Sequence, residues 1–137
     1  MPWVRHPDAG GVKVPEAVKR RTKERILQHA EKYASNFTRL DIRFRQQFCY
    51  VDAYTEPLVP RGWPPTDCHE SRDEHIERLR NTPTHLFRLR FFGDEQRWAF
   101  AFFGYSHETY ELSILPSGDF YGTPEEAFDA TAASHWG

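Results

Sequence analysis

Alternation of apolar and polar residues is most regular in residues 84–105, THLFRLRFFGDEQRWAFAFFGY. Because the side chains of a β-strand point alternately to its two faces, this pattern predicts two strands, each with one apolar face. A tight connection over residues 93–96 makes them a hairpin. Six large side chains then face one another: Phe91 opposite Trp98, Leu89 opposite Phe100, and Phe87 opposite Phe102. We expect the rest of the chain to pack against this layer.

A second stretch with the same period, residues 38–55, predicts another hairpin. Its apolar residues face each other across a two-residue connection at Gln46 and Gln47. The pairs are Phe44 with Cys49, Ile42 with Val51, and Leu40 with Ala53. Three apolar pairs favour this register. Two-residue turns prefer Asn-Gly or a similar sequence, so a longer turn stays an alternative.

Helical patterns flank and separate the hairpins. Residues 15–34 carry a narrow apolar stripe at three- and four-residue spacing, typical of a helix laid across a sheet. Ser71 and Glu74 form a capping box, and Thr123 and Glu126 form a second one with Pro124 at the first helical position. We therefore predict a short helix from residue 71 and a final helix over residues 124–134.

The remaining elements complete an α+β architecture. Residues 110–115 predict a further strand, residues 119–121 a short extended segment, and residues 1–13 an irregular N-terminal arm. Hairpin connections imply an antiparallel sheet of about five strands, with helices mainly on one face in the order α-β-β-α-β-β-β-α. At 137 residues the chain fits a single α+β domain.

Composition narrows the function classes. The net charge of −2 gives no general argument for nucleic acid, and no apolar run is long enough to span a membrane. No secretory signal is visible, and two cysteines are too few for a disulfide framework, so we expect a cytoplasmic protein. The first helix is basic and the last is acidic. They either dock on each other or present two solvated faces, and the second interpretation is the simpler one.

The polar face of the predicted sheet is the first candidate site. If both hairpins join one sheet with their apolar layers on the same side, arginines and tyrosines share the other side. These candidate ligand-binding residues are Arg43, Arg45, Tyr50, Tyr54, Arg88 and Arg90. Guanidinium groups grip phosphate or carboxylate, and aromatic rings offer stacking surfaces. The alternative is a solvated face on which aspartates neutralise the arginines.

Three residues are candidates for acid–base chemistry. The predicted register sets Asp41 opposite Asp52, and two close carboxylates can act as acid and base. Arginines on the same face would instead keep both carboxylates ionised. His107, beside Glu108 at a predicted hairpin tip, is a third candidate, although its spacing implies no nucleophile partner.

Other features give weaker signals. The segment from Cys68 to His75 contains cysteine, histidine and carboxylates without a zinc-binding spacing, so we expect no metal, and no cofactor motif occurs. Trp3, Trp63 and Trp136 lie in predicted loops or termini. They are either anchors for a protein partner or covers for the sheet and helices.

Three segments together resemble a family of small bacterial hypothetical proteins. The segments are TRLDIRFRQQFCYVDAY, RNTPTHLFRLRFFGDEQRWAFAFFGYSHETYE and SGDFYGTPEEAFDA. The resemblance covers most of the chain from Gly11 onward. It implies no established activity and therefore no catalytic residues.

Our leading functional hypothesis is a small cytoplasmic binding or interaction protein without catalysis, with a homodimer as one possible state. It would use the arginine–tyrosine face or the proline-rich loop that carries Trp63. The alternative is an enzyme for a small anionic substrate, with arginines as the clamp and Asp41, Asp52 or His107 as acid or base. A second alternative is nucleic-acid binding, which the net charge disfavours and which a steep salt dependence would reveal.

Overall fold

The computed structural model describes residues 10–65 and 69–136, so Trp3, Cys68 and most of the predicted arm lie outside the described residues. The helices in the described part are α1 Glu16–Ala30, α2 Arg72–Arg80 and α3 Pro124–Trp136, with a 3-10 helix over Glu31–Asn36. The strands are β1 Arg39–Arg45, β2 Phe48–Tyr54, β3 Thr84–Phe91, β4 Trp98–Gly104, β5 Thr109–Leu112 and β6 Tyr121–Gly122. The predicted α+β class is confirmed.

The strands form one antiparallel sheet in the order β1-β2-β3-β4-β5. The short strand β6 pairs with the beginning of β4, at Trp98 and Ala99, whereas β5 pairs with the end of the same strand. Both segments therefore lie along one edge of β4. This arrangement gives six strands where the sequence predicted about five.

Both predicted hairpin registers are confirmed. Phe44 pairs with Cys49 across the two-residue turn, and Gln46 adopts a left-handed backbone with φ 55°. In the second hairpin Phe91 pairs with Trp98, and Leu89 pairs with Phe100. Because side chains alternate along each strand, these registers place the apolar residues of both hairpins on one face of the sheet.

Helices α1 and α3 pack on that apolar face and close the core. Trp98, Phe100 and Phe87 are fully buried, and Phe128 of α3 lies edge-on to Phe87 with ring centroids 6.0 Å apart. Ile26 of α1 is also fully buried. Burial of a large apolar side chain contributes about 1.5–3 kcal/mol, so this layer dominates the stability of the fold.

The first and last helices dock on each other through charged and aromatic side chains. Arg25 donates two hydrogen bonds to Glu125, at 3.0 and 2.7 Å. His29 and Tyr33 both contact Asp129 Oδ1, at 2.7 and 2.6 Å. The interpretation of these helices as two solvated faces is therefore wrong, because their opposite charges meet within the molecule.

The α-helical geometry of α1 stops at Ala30, four residues before the predicted end. A 3-10 helix with a kink at Tyr33 (φ −114°, ψ 17°) follows it. Tyr33 stacks on Phe128 with ring centroids 5.5 Å apart and donates to Asp129. These contacts with α3 accompany the change of helical geometry.

The segment between β2 and β3 projects from the sheet. Its helix α2 begins with the predicted capping box, in which Ser71 Oγ accepts from Glu74 N and Glu74 Oε1 accepts from Ser71 N. No residue of α2 is fully buried. Arg72 donates to the backbone carbonyls of Pro60 and Trp63, at 3.0 and 2.8 Å, and so ties the helix to the proline-rich loop.

Candidate functional site

The face of the sheet opposite α1 and α3 carries a row of polar and aromatic residues. Arg43 of β1 pairs with Tyr50 of β2, Tyr50 pairs with Arg88 of β3, and Arg88 pairs with Ala101 of β4. Ala99 and Ala101 of β4 are buried, so neighbouring side chains cover this part of the face. The row results directly from the two hairpin registers, since a shift by one residue would turn the arginines into the core.

Asp52 is the most deeply buried charged group of this face. Its side chain has no exposed surface, and its two carboxylate oxygens have different partners. Arg43 Nη1 donates to Oδ2 at 2.6 Å, and His85 Nδ1 contacts Oδ1 at 2.9 Å. A buried carboxylate is stable only when it is paired and hydrogen-bonded, and these two contacts supply that pairing.

Arg43 also bridges the two aspartates of the first hairpin. Its Nη1 atom donates to Asp41 Oδ2 at 2.7 Å as well as to Asp52. The hydrogen bond to Asp52 is the main reason that the pKa of Arg43 lies above its ordinary value, and the bond to Asp41 adds to it. The predicted pairing of Asp41 with Asp52 is confirmed. Arg43 neutralises the repulsion that two facing carboxylates would otherwise cause.

Aromatic rings surround the imidazole of His85. The ring centroid of Phe103 lies 4.6 Å away, and those of Tyr105 and Tyr110 each lie 6.4 Å away. The backbone N–H of His85 donates to the hydroxyl oxygen of Tyr105 at 2.8 Å. The side chain of His85 nevertheless keeps 32% of its surface exposed. One edge of the imidazole is thus held by protein while solvent reaches the ring.

Tyr110 remains a hydrogen-bond donor over a wide pH range. Burial raises the pKa of its hydroxyl to about 12, and the negative charge of Asp52 acts in the same direction. Tyr110 packs against Tyr50 with ring centroids 5.4 Å apart. Its hydroxyl therefore stays protonated near neutral pH.

The guanidinium groups of β3 lie against aromatic rings. The Arg88 guanidinium carbon lies 4.5 Å from the ring centroid of Phe48 and 5.4 Å from that of Tyr110. Such contacts order an arginine side chain before any ligand arrives. We define the arginine–aromatic face by seven residues: Arg43, Phe48, Tyr50, Asp52, His85, Arg88 and Tyr110.

Arg90, predicted as a ligand-binding residue, lies at the buried end of the same strand. It is 8% exposed, and its Nη1 atom donates to the carbonyl of Gly10 at 2.8 Å. Its guanidinium carbon lies 4.6 Å from the ring centroid of Phe48. In the structure Arg90 therefore anchors the chain before α1.

The other predicted site residues lie around this face or away from it. Arg45 is exposed at the end of β1, and the ring of Tyr54 lies 4.0 Å from the guanidinium carbon of Arg39. His107 contacts Glu111 Oε1 at 2.8 Å. Glu111 follows Tyr110 in β5, so their side chains point to opposite faces of the sheet. His107, which contacts Glu111, therefore lies toward the face opposite Tyr110. Their roles in binding or proton transfer stay predictions.

Sequence reasoning missed His85 because the strand is irregular. The pairing of β2 with β3 shifts between Val51 and Asp52, so that Val51 pairs with Phe87 and Asp52 with His85. Leu86 is the extra residue of this β-bulge and is 1% exposed. In a regular strand His85 would share the apolar face with Phe87, whereas the bulge moves it to the polar face. The sequence carried one indication of the bulge, which is that two consecutive residues, Leu86 and Phe87, are both large and apolar.

A concave region lies outside the arginine–aromatic face. A depression of about 360 Å³ lies between α1 and the β3–β4 turn. Its arginines bind carboxylates, since Arg21 makes two 2.9 Å hydrogen bonds to Glu95 and Arg25 binds Glu125. In contrast to the arginine–aromatic face, none of the described residues that line it is aromatic. Among the described residues no group of three or more histidines, cysteines or carboxylates is arranged to hold a metal ion.

The two described tryptophans outside the hairpins, Trp136 and Trp63, follow different alternatives of the prediction. Trp136 packs inside, with its ring centroid 5.9 Å from that of Phe37 and 6.2 Å from that of Phe128. Trp63 is 49% exposed in the proline-rich loop. Trp136 thus covers the helix layer, and Trp63 lies on the surface.

Comparisons with protein-family models, curated proteins and solved structures gave no match. The resemblance to small bacterial proteins therefore stays a prediction. None of the helices in the described ranges is long and apolar enough to cross a membrane.

Proposed function

We propose that the protein is a small binding protein whose arginine–aromatic face takes up a small anionic ligand that carries a ring. The observation that supports this most is the row of Arg43, Tyr50 and Arg88 across three adjacent strands. Both packed helices lie on the opposite face, and the side chain of Arg43 in this row is 47% exposed.

The chemistry of the face favours an anion. Guanidinium groups form paired hydrogen bonds with phosphate and carboxylate oxygens. Two aspartates hold the Arg43 side chain in place before a ligand binds. Two aromatic rings contact the guanidinium group of Arg88. Because these side chains are already ordered, binding costs less conformational entropy than it would on mobile side chains.

The aromatic members of the face favour a ring on the ligand. Tyr50 and Tyr110 are both half-buried and lie beside the guanidinium groups. A flat ligand can stack on them while its anionic group meets the arginines. Stacking on one aromatic side chain is worth about 1–3 kcal/mol for a nucleic-acid base.

The proposal is tested with phenyl phosphate as the probe, by isothermal titration calorimetry. Arg88→Gln is expected to weaken binding about tenfold or more. The matched control is Arg97→Gln, since Arg97 also lies over a tyrosine ring, 4.3 Å from the centroid of Tyr121, outside the defined face. Equal affinity of the two variants, or no binding to the native protein, would overturn the proposal.

Salt distinguishes this function from nucleic-acid binding. A ligand with one anionic group releases few counterions, so its affinity should fall only slightly with added salt. Binding of an oligonucleotide along the face would instead fall steeply, with a slope set by the number of phosphates contacted. An affinity for single-stranded DNA that exceeds that for phenyl phosphate would favour the nucleic-acid alternative.

A further inference from the structure

Four histidines of the described chain contact a carboxylate, and one of these pairs differs from the rest. The pairs are His29 with Asp129, His75 with Glu70, His85 with Asp52, and His107 with Glu111. The carboxylate side chains are 46%, 25%, 0% and 48% exposed, in that order. Only the pair with the fully buried carboxylate lies on the arginine–aromatic face.

The contact with Asp52 determines which nitrogen of His85 is available to a ligand. An ionised carboxylate can only accept hydrogen bonds, so Nδ1 of His85 must carry the proton that lies between them. In the neutral ring, Nε2 is then the nitrogen with the lone pair. A buried carboxylate that fixes the tautomer and orientation of an imidazole is the arrangement that many general bases use.

The face that carries the base also carries a positive charge. His85 and Arg43 bind the two oxygens of the same carboxylate, so the Asp52 side chain contacts both of them. A substrate at Nε2 of His85 is therefore on the same face as the Arg43 guanidinium. This placement suits a reacting group that is itself anionic, such as a phosphodiester, and the ring of Tyr110 lies 6.4 Å from that of His85.

We propose that the face is a catalytic site for the hydrolysis of a small phosphodiester with an aromatic group. His85 is the general base, and Asp52 is a positioning residue. This inference rests on the proposed function, because the same arginines and rings hold the substrate. It adds a chemical step and a residue that binding alone does not require.

The step balances without a further reactant. Water attacks phosphorus while Nε2 of His85 takes one of its protons, and a new P–O bond forms. The P–O bond to the aryl group breaks, and its electron pair leaves on the aryl oxide. The imidazolium then returns its proton to the aryl oxide or to solvent. The products are a phosphomonoester and a phenol.

The decisive experiment measures release of p-nitrophenol from bis(p-nitrophenyl) phosphate by the native protein, His85→Gln and His75→Gln. His75 is the matched control, since it also contacts a carboxylate, Glu70 at 3.0 Å, but lies on α2. We expect native activity above the buffer rate. His85→Gln should lower kcat/KM about 100-fold or more, because general-base catalysis contributes about that factor. His75→Gln should leave kcat/KM unchanged.

Asp52→Asn tests the positioning role. It should lower kcat with little change in KM, because the amide oxygen of asparagine can still accept from Arg43 while its amide nitrogen, facing His85, no longer favours the Nδ1-protonated tautomer. Thermal melts of every variant establish that it is folded. His85→Gln gives the decisive comparison if Asp52→Asn unfolds, since His85 is partly exposed and Asp52 is not.

The outcomes separate this inference from the proposed function. Absence of native activity, or equal activity in His85→Gln and the native protein, overturns the catalytic proposal. If phenyl phosphate still binds and Arg88→Gln still weakens it, the binding function stands without catalysis. If Arg88→Gln changes neither binding nor hydrolysis, both proposals fail.

Discussion

Asp129 illustrates how one carboxylate couples two helices and makes the fold sensitive to acid. Burial raises its pKa, but the hydrogen bonds from Tyr33 and His29 outweigh burial and bring the pKa below its ordinary value. A carboxyl group with a lowered pKa in the folded state stabilises that state at pH values above its unfolded pKa, about 3.9. The stabilisation is lost as pH falls through the folded pKa.

We therefore expect Asp129→Asn to reduce the free energy of unfolding by no more than about 1 kcal/mol at about pH 7, since the group is partly exposed. The difference between the native protein and the variant should shrink as pH falls through the folded pKa, because the native carboxyl then becomes protonated. Urea unfolding at several pH values measures this. The control is Asp73→Asn, an exposed carboxyl of α2. A difference that persists at low pH would contradict the explanation.

The two capping boxes are identical devices on helices of different importance. Thr123 and Glu126 exchange hydrogen bonds of 3.0 and 3.1 Å, and Ser71 and Glu74 do the same at 3.0 and 3.1 Å. Helix α3 buries several residues in the core, among them Phe128, whereas α2 buries none. Loss of the cap should therefore have different consequences at the two helices.

Thr123→Ala is expected to lower the global free energy of unfolding by about 1 kcal/mol, the usual cost of losing a side-chain cap. Ser71→Ala should leave the global value nearly unchanged and accelerate hydrogen exchange of the α2 amides about fivefold, because α2 can open while the core stays folded. Urea unfolding and native-state hydrogen exchange on the same samples measure both effects. Equal global losses would show that α2 unfolds only with the core.

These caps were predictable because both partners lie within four residues of each other in the sequence. Elements whose ends depend on distant partners were not. Helix α1 changes geometry at Ala30, where Tyr33 meets Phe128 and Asp129 of α3. The end of α1 thus coincides with contacts to a helix about a hundred residues later in the chain.

At the scale of the fold, helices α1 and α3 lie over one face of the sheet, and arginines and aromatic rings lie on the other. Phe100 and Phe103 belong to the same strand and lie on opposite faces of it. Phe100 is fully buried under the helices. Phe103 is half-buried beside His85 and Tyr110, with ring centroids 4.6 and 5.1 Å away.

Phe100→Ala is expected to cost about 3–5 kcal/mol, because it leaves a cavity in the packed layer. Phe103→Ala should cost about 1–2 kcal/mol, because Phe103 is only partly buried and its loss leaves a smaller enclosed cavity. Urea unfolding with unchanged m-values gives both numbers. Equal losses would contradict the assignment of the helix-covered face as the core.

The sequence by itself determined both hairpin registers, the apolar layer and the two capped helix starts. Alternation and capping depend on residues that are close along the chain or joined by a short turn, so local patterns specify them. Only the tertiary structure decided which charged groups meet. The bulge at Leu86 brings His85 opposite Asp52, 33 residues earlier, and it arises from the packing of Leu86 and Phe87 into one core. The composition of the site thus depends on contacts between separate hairpins, which no local pattern encodes.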